Sequence, residues 1–331
     1  MSKKRISIGA LGGTISMTAS QSGGVTATLG ARELAESVPG LAGLADLSLQ
    51  TLQKLPSGSI RFDHLFSCLA WAEKEVEKGA DGVIITQGTD TLEESAFFLD
   101  LFWRHVEPLV LMGAMRSPEE PGADGAANLL ASVAVATSQV SANRGVLLVM
   151  NDEIHEARHV RKVHSSRVNA FASPVFGPAG VVLEKRVQYF RPTVRKPQLA
   201  IPTSFKDKVL LLEHTLSDDS SILSLALEHE VCQGVVVAGF GSGHVSESLR
   251  DVLVVAAERI PVIVCSRTGA GSTTQAVYGY KGAEIDLQKN GILMGQWLCP
   301  RKARLLLAAA LWNNYEREQI KELLGQWGTS H

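Results

Sequence analysis

Asp81-Gly-Val-Ile-Ile-Thr-Gln-Gly-Thr-Asp-Thr91 decides the architecture of this chain. Its first half is a short apolar run rich in β-branched residues, the composition of a strand buried on both faces. The run breaks at Gly88, and Leu92-Glu-Glu-Ser-Ala-Phe-Phe-Leu99 follows with apolar residues at helical spacing. Thr91 and Glu94 fit a capping box, which predicts a helix beginning beside the turn. The partial positive charge of that helix start then lies next to whatever the turn binds. Strand, glycine turn and helix form the unit of an open α/β sheet, which binds ligands at the carboxyl ends of its strands.

The same arrangement opens the chain. Arg5-Ile-Ser-Ile-Gly-Ala-Leu-Gly-Gly-Thr-Ile15 is a strand, a glycine pair and a hydroxyl. Glycines let the backbone come close to a ligand. Two such turns, one ending in Thr14 and the other carrying Thr89-Asp90, suggest an enzyme with a hydroxyl nucleophile. Further out, strands are expected at 5–11, 82–87, 108–113, 145–150, 208–213, 234–239 and 261–265. Amphipathic helical stretches lie at 62–78, 92–105, 124–137, 219–230, 246–258 and 301–312. This alternation predicts an α/β fold with a mostly parallel sheet covered on both faces.

The 331 residues exceed the usual size of one core, so two domains are expected. The stretch 191–208 holds Pro192, Pro197 and Pro202 without sustained periodicity and reads as a linker. It separates a larger α/β domain, 1–190, from a smaller one, 209–331. With 45% apolar and 20% charged residues the composition is that of a soluble globular protein. A net charge of -2 argues against nucleic-acid or anionic-membrane partners. There is no apolar run long enough to span a membrane. The basic start Met-Ser-Lys-Lys-Arg lacks the apolar region and cleavage site of a signal peptide. Cys68, Cys232, Cys265 and Cys299 are widely spaced in apolar contexts, with no C-x-x-C pair. They read as buried reduced thiols, which suits the cytoplasm.

A threonine hydroxyl needs a base to take its proton and donors to hold the developing oxyanion. Thr14, Thr89 and Asp90 are the groups in place, with helix caps as their plain structural alternative. Lys162, shortly after the strand 145–150, is a candidate proton carrier, because a desolvated lysine can act as a base. Residues 16–30 are small, polar and glycine-rich, the composition of a mobile lid. His155-Glu-Ala-Arg-His159 matches H-E-x-x-H, but it follows a strand and is flanked by Arg158, Arg161 and Lys162, which disfavours a zinc dication. Gly239-Phe-Gly-Ser-Gly-His244 lacks the third glycine of a dinucleotide turn and reads as a tight turn. Ser266-Arg-Thr268 and Ser272-Thr-Thr274 are polar turns. Met112, Met115, Phe97, Phe98, Phe102 and Trp103 are expected in the core.

Taken together, several motifs resemble those of the bacterial-type L-asparaginases, the asparaginase/glutaminase amidohydrolases. They are Leu11-Gly-Gly-Thr-Ile15, Thr86-Gln-Gly-Thr-Asp-Thr-Leu-Glu-Glu94, Gly113-Ala-Met-Arg116, Ala123-Asp-Gly125 with Asn128, Arg144-Gly-Val-Leu-Leu-Val-Met-Asn-Asp152, and Ala157-Arg158 with Lys162. The resemblance spans essentially the whole chain. It implies that Thr14 is the acylated nucleophile and that Thr89, Asp90 and Lys162 form the proton-handling group beside it. It also implies that Asp90 grips the substrate α-ammonium and Ser57 its α-carboxylate, with backbone of Gly88, Thr89 and Ala114 lining the pocket. Thr14 then attacks the side-chain amide of asparagine, ammonia leaves and water hydrolyses the ester, without metal or organic cofactor. The implied fold is a large α/β domain with a smaller flavodoxin-like α/β domain. The implied assembly is a homo-oligomer, dimer or tetramer, with sites at the subunit interface.

Several positions depart from the family pattern. The threonine usual before Gly12-Gly13 is Leu11, and 16–30 contains no lid tyrosine. The Ser-Gln pair at the substrate carboxylate reads Ser57-Gly58. The neighbouring subunit's usual acid is replaced by Tyr278, and its asparagine or serine by His244. These changes imply a rearranged proton path through His244 or Tyr278. They also leave open a related amide (glutamine, a D-isomer or an N-substituted asparagine), or a catalytically weak amino-acid-binding homologue.

Overall fold

Val83, Ile84 and Ile85 form a strand because each has a partner on both sides and an apolar layer on both faces; all three are fully buried. The protein, described as a computed structural model, covers residues 3–13, 17–19, 25–27, 31, 35 and 38–329. The chain forms two compact units, 1–195 and 196–331.

In the first unit, β1 (Arg5–Ala10), β2 (Asp46–Thr51), β3 (Gly82–Thr86), β4 (Leu109–Met112) and β5 (Val146–Met150) run parallel. β6 (Glu153–Glu156), β7 (Gly180–Leu183) and β8 (Arg186–Tyr189) fold back antiparallel, giving the order β8-β7-β6-β5-β4-β3-β1-β2. Helix α1 (Phe62–Glu77) packs against β1 and β3, and α2 (Leu92–Asp100) against β4 and β5. On the other face lies α3 (Gly125–Thr137), whose Leu129 and Val133 join Ile6, Ile8, Ile84, Val110, Leu147 and Val149 in one core. Alternation along each strand assigns one residue set to each face. Phe97, Phe98, Phe102, Trp103 and Met112 are fully buried, and Met115 is half-buried.

The second unit carries four parallel strands in chain order, β9 (Val209–Glu213), β10 (Gly234–Gly239), β11 (Val262–Ser266) and β12 (Leu293–Met294). Among the described residues, five helices accompany them: α4 (Ser221–Glu228), α5 (Glu247–Ala257), α6 (Glu284–Lys289), α7 (Pro300–Trp312) and α8 (Arg317–Trp327). Val235, Val237 and Val264 pack with Leu249, Leu253 and Leu287. The expected architecture, a larger parallel-dominated α/β body and a smaller parallel one, is what forms.

The antiparallel edge β6–β8 is not evident from the sequence. Its strands are four residues long, and β6 (Glu-Ile-His-Glu) and β8 (Arg-Val-Gln-Tyr) carry polar or charged residues at half or more of their positions. Two-residue turns with positive φ at both positions join β5 to β6 (Asn151 and Asp152, at 52° and 59°) and β7 to β8 (Glu184 and Lys185, at 50° and 63°). Mirror-image turns of this kind match the twist of a hairpin. Asn-Asp is a recognisable turn signal, whereas Glu-Lys is not. The stretch 16–30 lies largely outside the described residues; of it, Met17–Ala19 and Val25–Ala27 pair antiparallel. All four cysteines are free, and Cys68, Cys232 and Cys265 are buried.

Asp100, half-buried at the end of α2, provides a stability prediction. Burial pushes its carboxyl up to about 6, although the Val146 N–H donates to it at 2.9 Å and Arg195 lies nearby. A raised carboxyl pKa means that ionisation is harder in the folded state. Stability is therefore lost as pH climbs from the unfolded value to the folded one, and the cost is complete above about pH 6. Asp100→Asn, which keeps an acceptor for Val146, is expected to stabilise the protein at pH 7.5 by about 1–3 kcal/mol and to change nothing near pH 3. Thermal melts at the two pH values check this; a variant that melts lower at pH 7.5 contradicts it.

Candidate active site

Two turns meet at the carboxyl ends of β1 and β3. The strands are adjacent and in register, Ala10 opposite Thr86, and the Leu11 N–H donates to the Thr86 carbonyl at 2.9 Å. Gly13 has φ of 96°, and a Cβ there would lie 2.1 Å from the Gly88 nitrogen. Only glycine permits that conformation and that approach. The turn leading to position 14 therefore rests directly on the turn that carries Thr89 and Asp90. Thr14 itself lies outside the described residues.

A third segment, Ser57–Ser59, closes on the same turn. The Asp90 N–H donates to Ser57 Oγ at 3.1 Å, and that hydroxyl lies 3.4 Å from Asp90 Oδ2. The Thr91 hydroxyl donates to the Ser57 carbonyl at 2.9 Å and accepts from Gln87 Nε2 at 3.1 Å. This corrects the capping-box expectation. Helix α2 starts where expected, but its Thr91 side chain makes no bond to the helix N–H groups. The hydroxyl is spent on fastening the Ser57 segment to the β3 turn.

Lys162 completes the group. Its ammonium lies 2.9 Å from Thr89 Oγ1 and 2.8 Å from Asp90 Oδ1. The short strand Arg161–Lys162 pairs with Phe171–Ala172, and the Lys162 backbone N–H donates to the buried Glu93 carboxylate in the first turn of α2. Main chain and side chain of Lys162 are thus both tied to the β3–α2 connection. The Lys162 hydrogen bond holds the Asp90 carboxyl below its usual range, against a smaller opposing effect of burial. Thr89 is buried, whereas the Asp90 side chain is 75% exposed and open to a ligand.

Gly113-Ala-Met-Arg116, after β4, touches the same turn: a Cβ on Gly113 would lie 3.0 Å from Thr89 Cγ2. The loop is held by the Asp124 carboxylate, which accepts from the N–H groups of Met115 and Arg116 at 3.0 Å and from Asn128 Nδ2 at 2.9 Å. Asn128 also donates to the Gly113 carbonyl at 3.1 Å and accepts from the Asn151 N–H at 2.9 Å. Asp124 and Asn128 thereby shape the loop that presents the buried Ala114. Gly58 is exposed, with nothing within 4 Å of where a Cβ would stand.

The structure therefore brings Ser57, Gly88, Thr89, Asp90 and Lys162 together, with Gly58 and the Ala114 loop beside them. Sequence reading missed Glu93 as the anchor of Lys162 and Thr91 as the fastener of Ser57. An acidic residue in the first turn of a helix reads as dipole compensation, which concealed the role of Glu93. His244 and Tyr278 lie in the second unit, their rings edge to face with centroids 5.0 Å apart. Two residues overlooked there, Tyr280 and Glu284, bond to His244.

The H-E-x-x-H segment spans β6 and the turn after it, so its histidines do not share a helix face. His155 Nδ1 lies 2.9 Å from Ser173 Oγ, and the His159 ring stacks on Phe176 at 3.9 Å. Among the described residues no group of three or more His, Cys, Asp or Glu is placed to hold a metal ion. Gly239–His244 is a tight loop closed by the Phe240 N–H to the His244 carbonyl at 2.8 Å.

A hydroxyl, an amine and a carboxylate in contact, beside a glycine turn at the ligand edge of a parallel sheet, define an α/β enzyme equipped to move a proton at a reacting centre. Residues 5–195 match the family described as "Asparaginase, N-terminal", and residues 208–324 the "Glutaminase/Asparaginase C-terminal domain". The chain is 34% identical to "L-asparaginase 2" of Escherichia coli K12, over 97% of its own length and 93% of that protein's. It is 31% identical to the "Glutaminase-asparaginase" of Pseudomonas fluorescens biotype A, over 91% of this chain and 83% of that one. The crystal structure of the "Probable Cytoplasmic L-asparaginase from Campylobacter jejuni" superposes with a TM-score of 0.86 at 34% identity, covering 98% of this chain and all of that one. The chain belongs to the asparaginase family and is an amidohydrolase of that class.

Proposed function

We propose that the protein hydrolyses L-asparagine to L-aspartate and ammonia through an acyl-enzyme on Thr14. The observation that carries this reading is the contact of Lys162 Nζ with both Thr89 Oγ1 and Asp90 Oδ1, beside a turn on which Gly13 rests. The Thr14 hydroxyl attacks the side-chain amide carbon as its proton passes into the Thr89–Lys162 pair. That proton goes to the departing nitrogen, which leaves as ammonia. Water then cleaves the ester with the same groups acting in reverse. Asp90, ionised and exposed, takes the substrate α-ammonium. Ser57 takes the α-carboxylate, and the backbone of Gly88, Thr89 and Ala114 lines the pocket.

We further infer a homo-oligomer, dimer or tetramer, in which His244 and Tyr278 of one copy serve the amide site of another. A cytoplasmic location is supported by the free, mostly buried cysteines. Two of the relatives point in different directions here: the Campylobacter jejuni protein is named cytoplasmic, and a 36% identical Haemophilus influenzae protein is named "Probable L-asparaginase periplasmic".

One observation favours a second reading. Gly58 leaves open space and one donor fewer at the presumed carboxylate end, which costs about 1–3 kcal/mol of binding if nothing replaces it. A bulkier amide, or one lacking a charge, then becomes the better substrate. Ammonia release from L-asparagine, D-asparagine, glutamine and N-substituted asparagines decides between them. Highest kcat/KM for L-asparagine is expected. A higher value for another amide shifts the assignment to it, and binding without ammonia from any of them means a binding protein.

A further inference from the structure

The second unit contains a hydroxyl, an imidazole and a carboxylate in line. Tyr280 Oη lies 2.8 Å from His244 Nδ1, and His244 Nε2 lies 3.1 Å from Glu284 Oε2. Glu284, the first residue of α6, is fully buried, and its other oxygen accepts the N–H groups of Val277 and Tyr278, each at 2.7 Å. Burial alone would raise this carboxyl; the two N–H groups and His244 overcome that and hold it below its usual range. An ionised Glu284 fixes the tautomer of His244. Nε2 carries the proton and donates to Glu284, which leaves Nδ1 bare to accept from Tyr280. Ser242 Oγ stands 3.3 Å from the same Nε2. Burial, with Glu284 and Tyr278 adding to it, raises the Tyr280 phenol, so it keeps its proton until a base removes it.

His244 ends the loop after β10, at the carboxyl edge of the parallel sheet, where ligands bind in open α/β folds. A hydroxyl bonded to one imidazole nitrogen, with a buried carboxylate on the other, has the connectivity of an acyl-transfer triad. Tyr278 is the natural comparison. It is similarly exposed, at 45% against 54% for Tyr280, and packs its ring edge on His244. The hydroxyl bonded to the imidazole, however, is that of Tyr280.

We propose that Tyr280, His244 and Glu284 form a proton relay in which Tyr280 is the exchanging group, serving amide hydrolysis. The link to hydrolysis rests on the reading given under Proposed function. In the step itself the Oη–H bond breaks, the oxygen keeps the electron pair, and the proton moves to His244 Nδ1. The imidazolium so formed is stabilised by Glu284, and the reverse step restores the phenol. His244 and Glu284 are positioning residues for Tyr280.

A short pulse of p-nitrophenyl acetate tests the relay without using an amide. The phenol oxygen forms the acetyl ester, p-nitrophenolate leaves, and the proton taken by His244 passes to solvent. Peptide mass spectrometry should find Tyr280 acetylated about 10-fold or more faster than Tyr278. The excess should disappear in His244→Asn and Glu284→Gln proteins with unchanged circular dichroism. Equal labelling of the two tyrosines, or an excess that survives His244→Asn, overturns the relay. In parallel, Tyr280→Phe should lower kcat for asparagine about 10-fold at unchanged KM. Unchanged kcat in Tyr280→Phe, alongside a Tyr280 labelling excess in the wild-type protein, overturns the hydrolytic role. Wild-type protein that releases no ammonia from any amide refutes the amide-hydrolysis reading instead, and the labelling ratio still judges the relay.

Discussion

Thr14→Ala is expected to lower ammonia release from L-asparagine by about 10⁴-fold or more, while the protein stays folded. The expectation rests on the turn that precedes this residue. Gly13 adopts a left-handed conformation and lies against the Gly88 backbone, a geometry that no larger residue could share. A chain spends glycine in this way where a reactive group must be delivered next to another segment. Alanine has no oxygen to carry the acyl group, so the two-step route closes. What remains is water directed by the pocket, and such residual catalysis falls orders of magnitude short of the covalent route. Initial rates with a coupled ammonia assay, with circular dichroism to confirm folding, measure the effect. A variant retaining a tenth of the wild-type rate rules out acylation at position 14.

Lys162→Met is the second large effect, a fall in kcat of about 10²- to 10⁴-fold, the range for losing a positioned proton-transfer group. Methionine matches the length of the lysine side chain but can neither hold nor release a proton. Two contacts disappear together, to Thr89 Oγ1 and to Asp90 Oδ1. Without the Lys162 hydrogen bond, which contributes most to keeping the Asp90 carboxyl low, that carboxyl returns toward its ordinary value. Asp90 nevertheless stays ionised at neutral pH, because an ordinary aspartate titrates near 4. The loss should therefore fall on kcat rather than on capture of the substrate ammonium. Lys162→Arg sharpens the test. Guanidinium keeps the charge but cannot deprotonate in a protein, so a proton-carrying role predicts no rescue. Full activity of the arginine variant would show that position 162 supplies charge alone.

Much of this molecule was legible in the sequence because the central strands are wholly apolar and their turns are punctuated by glycine. Val83–Ile85, Leu109–Met112 and Val146–Met150 announce themselves through burial on both faces. The pairing of Thr89 with Asp90 was legible from adjacency, whereas Lys162, more than seventy residues away, was one candidate among many lysines until the family resemblance selected it. Spacing carries no information about a contact made across the ends of a sheet. The edge strands β6–β8 stayed hidden because half of their residues face away from the core and one hairpin turns on Glu184-Lys185. Glu93, Tyr280 and Glu284 stayed hidden for a different reason. Each works through a hydrogen bond to another functional residue, to the main chain of Lys162 or the side chain of His244, and a carboxylate at a helix start looks the same whether it balances a dipole or orients a partner. Thr91 misled outright, since its hydroxyl fits a cap and fastens a loop instead.

The grip of Glu93 on the Lys162 main chain links endurance to turnover. The Lys162 main chain is tied to α2, so the proposed proton carrier would be calibrated by the seating of that helix on the sheet. A substitution that loosens α2 without touching any reacting group would detune the chemistry before it unfolds the body. Selection for a durable fold and selection for a fast enzyme would then act on the same buried carboxylate.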